Sequence, residues 1–385
     1  MKALILLVIL FSCATPVQRE LAPLPMTFET KLKSYFHHSG GKAEMRDDVI
    51  KDKLIAVFDW DNTMIKNDIG DATFFWMLEH NLFIAPKTWA STSPFLSKQA
   101  LKELNRRCPL KSKKKAVHLV TSSGECGKTL LSIYLDGTVL NDVSAWDKSN
   151  KLFNKFLVEP SYAWGASLLQ GHQPEDVSTI AGMAIDYFLQ QPVGSKKKIL
   201  GKEVAGYIRI YEPMKALVEY LEKNGVTVWV VSASEQHLVQ AFAEKAGIPS
   251  NHVIGIRPVI AGGVLTTAFE GCGTLPNGNQ QIITYRQGKR CWANKIIFHV
   301  DTAPEQLSTP ASILFGAGDS DTDLEFLKDS KVKLVINRNK TELLCNALAN
   351  KDESWFVVPM FLEPKPKKTS AYDCSAFGFA AQKEL

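Results

Sequence analysis

The chain has 385 residues, is 45% hydrophobic and 22% charged, and carries a net charge of +5. That length favours two packed units over one, and the composition excludes a disordered or collagen-like chain. Acids and bases nearly balance, so no nucleic-acid partner is indicated; the basic runs at 111–115 and 196–198 read as solvated loop or helix-end charges.

In chain order, Lys2 opens an apolar run over residues 3–11, followed by Ser12, Cys13 and Ala14. A charged start, a short apolar core and small residues describe a secretory signal, and the run is too short to span a bilayer as a helix. Two endings stay open. Residues 12–14 form a peptidase site, or residues 10–13 resemble a bacterial lipoprotein signal in which Cys13 is lipidated and attaches the protein to a membrane. Either way the expectation is an exported, periplasmic protein. Six cysteines follow Cys13, and fifteen pairings are open to them. Cys108 and Cys126 flank a polar, basic segment, where a bridge would close a loop. No paired C-x-x-C set points to zinc.

A helix is expected around 30–38, then a buried strand at 54–58 with Asp59 at its C-terminal tip. Residues 64–205 read as a mostly helical cap domain, with helices at 72–81, 97–106, 146–157, 174–189 and 201–209 and strands only at 116–120 and 131–135. The sheet pattern resumes with a helix at 213–224, a strand at 226–231 and a helix at 235–246. Short runs at 253–256, 264–268 and 282–285, with turns at 262–263 and 276–278, predict a small antiparallel β element. A helix at 289–299, a strand at 313–315, a helix from 324 and a strand at 332–336 follow, and 363–385 reads as an extended tail. Strands alternating with helices predict an α/β core, built from residues 15–63 and 206–362, around a parallel sheet with right-handed crossovers. The ligand crevice of such a sheet lies at the C-terminal strand ends.

Polar clusters fall at those ends. Asp59 and Asp61, two acids at i and i+2 leaving a buried strand, repel unless a cation or proton sits between them. Mg2+ suits such a pair, and a carboxylate can attack phosphorus while a second acid handles protons. The alternative is a capped turn. Ser232 and Ser234 follow an apolar strand, where hydroxyls and amides make an anion site or a plain helix cap. Lys289 opens a helix, and Lys295 is one to two turns further on. After another apolar strand, Asp319, Asp321 and Asp323 follow Gly316 and Gly318. An EF-hand reading of these acids fails at Leu324 and Ser330, where glycine and glutamate would be needed.

Taken together, Asp59-x-Asp61-x-Thr63, Ser232 after an apolar strand, Gly288-Lys289, and Gly318-Asp319-x-x-x-Asp323 resemble the haloacid dehalogenase superfamily of phosphatases. The resemblance implies a Rossmann-like core under a large, mostly helical cap. It implies Asp59 as nucleophile and Asp61 as general acid and base. Mg2+ would be held by Asp59, the Asp61 carbonyl and Asp319, with Asp323 in support. Thr63, Ser232, Ala233 and Lys289 would bind the phosphate, Lys289 rather than Lys295 because the family lysine follows a glycine and opens a helix. Within the superfamily the chain looks most like the phosphoserine phosphatase and phosphorylcholine phosphatase branch. Asp68, nine residues after Asp59, stands where these enzymes place a carboxylate toward a substrate amine, and Asp71 is a second candidate. Phe74, Phe75 and Trp76 offer either an aromatic face for a quaternary ammonium or helix core. The expected substrate is a small amine-bearing phosphate ester. Export favours phosphorylcholine, with phosphoserine or a broad range of esters as alternatives. A catalytically silent surface lipoprotein or a calcium module are the non-enzyme readings.

Overall fold

The computed structural model describes residues 24–36, 54–110, 117–139, 142–151, 153, 157–272, 283–300 and 313–383. The signal expected at 1–14, with Cys13, and the turn at 276–278 lie outside them. Helix α1 (Met26–Lys33) sets Phe28 edge-on against Phe315 and Phe356. Strand β1 (Ile55–Phe58) is buried at all four positions, as befits a strand covered on both faces. The chain then enters an insertion through β2 (Ile65–Lys66) and leaves it through β7 (Arg209–Ile210); these two crossings pair antiparallel. Between them lie helices α2 (Ile69–Glu79), α3 (Lys98–Arg107), α4 (Gly124–Asp136), α5 (Pro160–Ser167) and α6 (Pro174–Gln190). Two hairpins accompany them: β3 (Thr138–Val139) with β4 (Val143–Ser144), and β5 (Lys196–Ile199) with β6 (Lys202–Ala205).

Beyond β7 come α7 (Glu212–Lys223), β8 (Thr227–Glu235), α8 (Gln236–Ala243), β9 (Val253–Ile256), and a hairpin of β10 (Pro258–Ala261) and β11 (Val264–Phe269). Helix α9 (Gln287–Ile296), β12 (Ile313–Gly318), α10 (Leu324–Lys328), β13 (Ser330–Asn337), α11 (Thr341–Ala349) and β14 (Trp355–Pro359) complete the order. The main sheet has six strands in the order β14-β13-β12-β1-β8-β9, parallel throughout. Its register aligns Phe58 with Ala317 on one side and Val230 on the other. Asp59, Gly318 and Val231 therefore stand at one level of the sheet, which brings three of the predicted clusters to one edge.

Several expectations are corrected. Residues 201–209 form no helix: Leu200 and Gly201 turn at positive φ and 202–205 run back as β6. Residues 131–135 are not a strand but the end of α4, whose buried Leu130, Leu131 and Ile133 share one side of the helix. Trp146 pairs across to Leu96 instead of opening a helix, and the hydrogen bond from Ser149 N–H to the Asp147 carboxylate folds the next residues into a turn. Strand β9 belongs to the main parallel sheet, so only β10 and β11 form the small antiparallel element; residues 283–285 are a bend leading into α9. The C-terminal residues are more than a tail. Tyr372 pairs with Gln382, and buried Cys374 is bonded to Cys345. The expected Cys108–Cys126 bridge joins the end of α3 to α4, and Cys272–Cys291 is a third.

Candidate active site

Asp59 is buried at the tip of β1, its backbone N–H bonded to Ala317 O at 2.9 Å. One carboxylate oxygen accepts from Lys289 Nζ at 2.6 Å and the other faces Thr63 Oγ1 at 3.2 Å. The same ammonium donates to Asp323 Oδ1 at 2.7 Å, and Thr63 Oγ1 also faces Asp319 Oδ1 at 3.1 Å. Asp323 in turn accepts the backbone N–H groups of Asp319 and Ser320, each at 3.0 Å, and so shapes the loop it belongs to. Gly318 is required there: a Cβ would sit 2.5 Å from that of Asp323. Gly288 is required before Lys289, since a Cβ would lie 1.8 Å from Ile283 O.

Asp59, Asp319 and Asp323 bring carboxylate oxygens within 4.8 Å of one another. Burial raises all three above the usual carboxylate range, Asp59 to about 7, with Lys289 opposing at Asp59 and Asp323, and Arg338 opposing at Asp319. Burial also works against the Lys289 ammonium, but Asp323 and Asp59 more than compensate and hold its pKa high. Three buried, hard oxygen donors whose negative charge burial disfavours fit a divalent cation such as Mg2+.

The Asp61 carboxylate is engaged elsewhere. It accepts from Ile69 N–H at 2.8 Å and Ser234 Oγ at 2.7 Å, with Ser232 Oγ more distant at 3.4 Å. Burial, then Asp68, raises its pKa well above the ordinary value. Of the two readings open for the Ser232–Ser234 segment, the plain helix cap does not hold at Ser234. Strand β8 runs through it, and Glu235 caps α8 by accepting from His237 and Leu238 N–H. Ser232 is fully buried and its Oγ accepts from Ser234 N–H at 3.1 Å, while Thr284 donates to its carbonyl. Lys295 bonds Gly271 O on the exposed side of α9, away from the carboxylates.

A cavity of about 620 Å³ opens over these groups, with Asp59, Asp61, Ala233, Lys289 and Asp319 among its lining. Its insertion side carries Asp68 and Asp71. Asp68 caps α2 through Asp71 N–H at 2.9 Å, and Asp71 accepts from Tyr134 OH at 2.9 Å. Burial and then Asp68 push Asp71 up to about 8. The Tyr134 ring lies flat on Phe74, centroids 3.8 Å apart, and Tyr162 and Tyr285 also line the space. Of the three aromatics singled out by sequence only Phe74 reaches the cavity. Phe75 is core, and Trp76 stacks on His80.

Sequence reasoning missed Arg338, which donates to Asp319 Oδ2 at 2.6 Å. It stands just past β13, where the rule that sites gather at C-terminal strand ends would have pointed. Tyr134 and Tyr162 carried no local signal, because only the insertion's folding brings them over the sheet.

The family model for haloacid dehalogenase-like hydrolases matches residues 135–328, a span that includes Ser232, Lys289, Asp319 and Asp323. Among solved structures, a conserved, functionally unknown protein from Anaerococcus prevotii DSM 20548 is similar in fold, with a TM-score of 0.55 at 18% identity, covering 88% of this chain and 94% of its own. A protein of unknown function from Bordetella pertussis Tohama I matches with a TM-score of 0.45 at 13% identity over 81% of this chain and all (100%) of its own. A phosphoserine phosphohydrolase-like protein from Francisella tularensis subsp. tularensis SCHU S4 matches at 0.34 and 14%, over 79% and 94%. No curated protein matches the sequence. With half of the chain matched by the family model and a six-stranded parallel sheet gathering the four motifs at one edge, the chain belongs to the haloacid dehalogenase-like hydrolases.

Proposed function

We propose that the protein is a Mg2+-dependent phosphomonoester hydrolase that works through an aspartyl-phosphate on Asp59. The observation that carries this reading is the buried contact of Lys289 with both Asp59 and Asp323, beside Asp319 and under an open cavity. An Asp59 oxygen attacks phosphorus in line, forming an O–P bond as the bond to the leaving alkoxide breaks. Asp61, whose protonated form desolvation favours, gives its proton to the leaving oxygen. The resulting Asp61 carboxylate takes a proton from water, whose oxygen attacks the phosphoryl group and frees phosphate and Asp59. Lys289 and the amides around Ser232 and Ala233 hold the phosphoryl oxygens. Mg2+, held by Asp59, Asp319 and the Asp61 carbonyl with Asp323 in support, would offset the charge on the transferring group.

The leaving group we favour is a small amine-bearing alcohol, choline first. Asp68, with Asp71 able to give up its proton beside a positive charge, and the ring faces of Phe74, Tyr134 and Tyr162 offer carboxylates and aromatic surface to a cation. Three disulfides support export to an oxidising compartment, with lipidation of Cys13 as the proposed anchor. The test is release of phosphate from phosphorylcholine, phosphoserine, phosphoethanolamine, p-nitrophenyl phosphate and nucleotides, with and without Mg2+. Turnover led by the quaternary amine supports the reading. A nucleotide preference would overturn the leaving-group assignment, and no turnover of any ester would overturn the activity.

A further inference from the structure

We propose that Glu363 is a positioning residue: from the C-terminal segment it locks the two-stranded crossing between core and insertion, and so fixes the loop that orients Asp61. This rests on the reading of Asp61 as the proton carrier. Lys66, in β2, is nearly buried at 7% side-chain exposure, yet no carboxylate within its own loop balances it. Its ammonium donates to Leu362 O at 3.1 Å and lies 3.6 Å from Glu363 Oε2. The same carboxylate accepts from the Tyr207 hydroxyl, two residues before β7. One glutamate thus holds both strands of the crossing. Phe361 adds an edge-on contact to Tyr211 on the far side of β7.

The lock continues inward by short steps. Asn67 Nδ2 donates to Tyr207 O at 2.7 Å. Asn67 N–H donates to Asn62 Oδ1 and Asn62 N–H to Asn67 O, both at 3.2 Å. Asn62 and Asn67 sit at φ of 60° and 67°, left-handed backbone that holds its shape only when its surroundings fix it. Asp61 precedes Asn62, and Asp68 and Ile69 follow Asn67, so the loop closed by the two asparagines sets the Ile69 N–H that grips the Asp61 carboxylate. The tail is itself anchored beyond Glu363. Tyr372 OH donates to Asn339 Oδ1 at 2.7 Å, and Cys374 is bonded to Cys345. Glu363 is therefore held from both sides, and its restraint passes to the loop instead of dissipating in a free end.

The test uses the full chain with Glu363→Ala, Glu363→Gln, Lys66→Met and the Lys66→Met/Glu363→Ala double variant. The Glu363 side chain is 46% exposed, so its removal leaves the core intact. Hydrogen exchange of amides 62–69 is expected to speed up on the order of tenfold in Glu363→Ala. Turnover of an alkyl phosphate is expected to fall about tenfold at unchanged KM, since small misplacements of a catalytic group are costly. With p-nitrophenyl phosphate, whose leaving phenolate needs little protonation, the loss in the rate of protein phosphorylation is smaller, while hydrolysis of the phosphorylated protein, which uses Asp61 as base, slows alike for both esters. Glu363→Gln, which keeps an oxygen for Tyr207, recovers part of the turnover, and the double variant is no worse than the worse single one. Unchanged exchange overturns the lock whatever the enzyme's substrate. Faster exchange with unchanged kcat overturns the positioning role. Failure of the wild type to hydrolyse any ester removes the phosphatase reading while exchange still decides the lock.

Discussion

Replacing Lys289 by Met tests the centre of the site. The ammonium is 1% exposed and lies 2.6 Å from Asp59 and 2.7 Å from Asp323. At an effective dielectric near 20, each contact attracts by about 6 kcal/mol, most of it offset by desolvation. Removing one partner of such a buried group costs about 3–5 kcal/mol, because charges are left unpaired. Asp59 and Asp323 have an escape, however, which is to bind protons. Burial already raises both, Asp59 to about 7 with the lysine still present, and without it both rise further. A carboxyl whose folded pKa exceeds its unfolded value loses its stabilising protonation as pH climbs toward the folded value. The metal-free variant should therefore lose more stability at pH 8 than at pH 6. A protonated Asp59 is also a poor nucleophile, and the phosphoryl oxygens lose their cation, so kcat should fall about 10²–10³-fold. Lys289→Arg should not rescue it, since a planar fork cannot replace a point charge wedged between two carboxylates. Urea unfolding at both pH values, with kcat at saturating Mg2+ and substrate, makes the measurement. A variant within tenfold of wild-type kcat, with equal stability loss at both pH values, would refute the reasoning.

Asp59→Asn should lower turnover by on the order of 10⁴–10⁶-fold without loss of folding, since Lys289 keeps Asp323 as its partner; mass spectrometry should find no phosphorylated protein after quenching. Chelation should abolish turnover, and Mg2+ at a hundred times its Kd should stabilise the chelated protein by about 2.7 kcal/mol, which thermal unfolding reads without any substrate. Asp71, held at about 8 when folded, carries a proton that the unfolded chain releases from about pH 4 upward, so it favours the fold at low pH and stops doing so as pH nears 8. Asp71→Asn should therefore gain melting temperature over wild type at pH 8.5 and little at pH 5, and an equal difference at both values would contradict the assignment.

The strand-end acids were legible because an apolar run long enough to cross a sheet and stopping at an acid has few other meanings. Residues 55–58 and 313–318 are buried throughout, so Asp59 and Asp319 stand out. The insertion was less legible for a physical reason. Leu130 and Leu131 with Ile133 suit a buried strand as well as a helix face, and Lys202-Glu-Val-Ala205 contains good helix formers that the Leu200–Gly201 turn sends back as a strand. Strand β14 is short, lies at the sheet edge and ends on Pro359, where proline is tolerated only because no further partner is needed. Arg338 was overlooked although it lies at a strand end, whereas Glu363 could not be read at all. Glu363 meets Lys66 and Tyr207 across long stretches of chain, and no local pattern encodes such a meeting.

The charges around the cavity argue about the substrate as well as the metal. Asp59, Asp61, Asp319 and Asp323 sit at the sheet edge, Asp68 and Asp71 on the insertion side, and burial pushes all six upward. Lys289 and Arg338 both bond to the sheet-edge group. A divalent cation would relieve that same end, and a phosphoryl group would then add negative charge to it. Neither changes the position of Asp68 and Asp71, which stand half-buried with a tyrosine hydroxyl and backbone amides as their bonded partners. A positive charge placed beside these two acids would favour their ionised forms and be stabilised by them in turn. A ligand with phosphate at one end and a cation at the other satisfies both ends at once. A neutral alcohol of the same size would leave Asp71 protonated or unpaired.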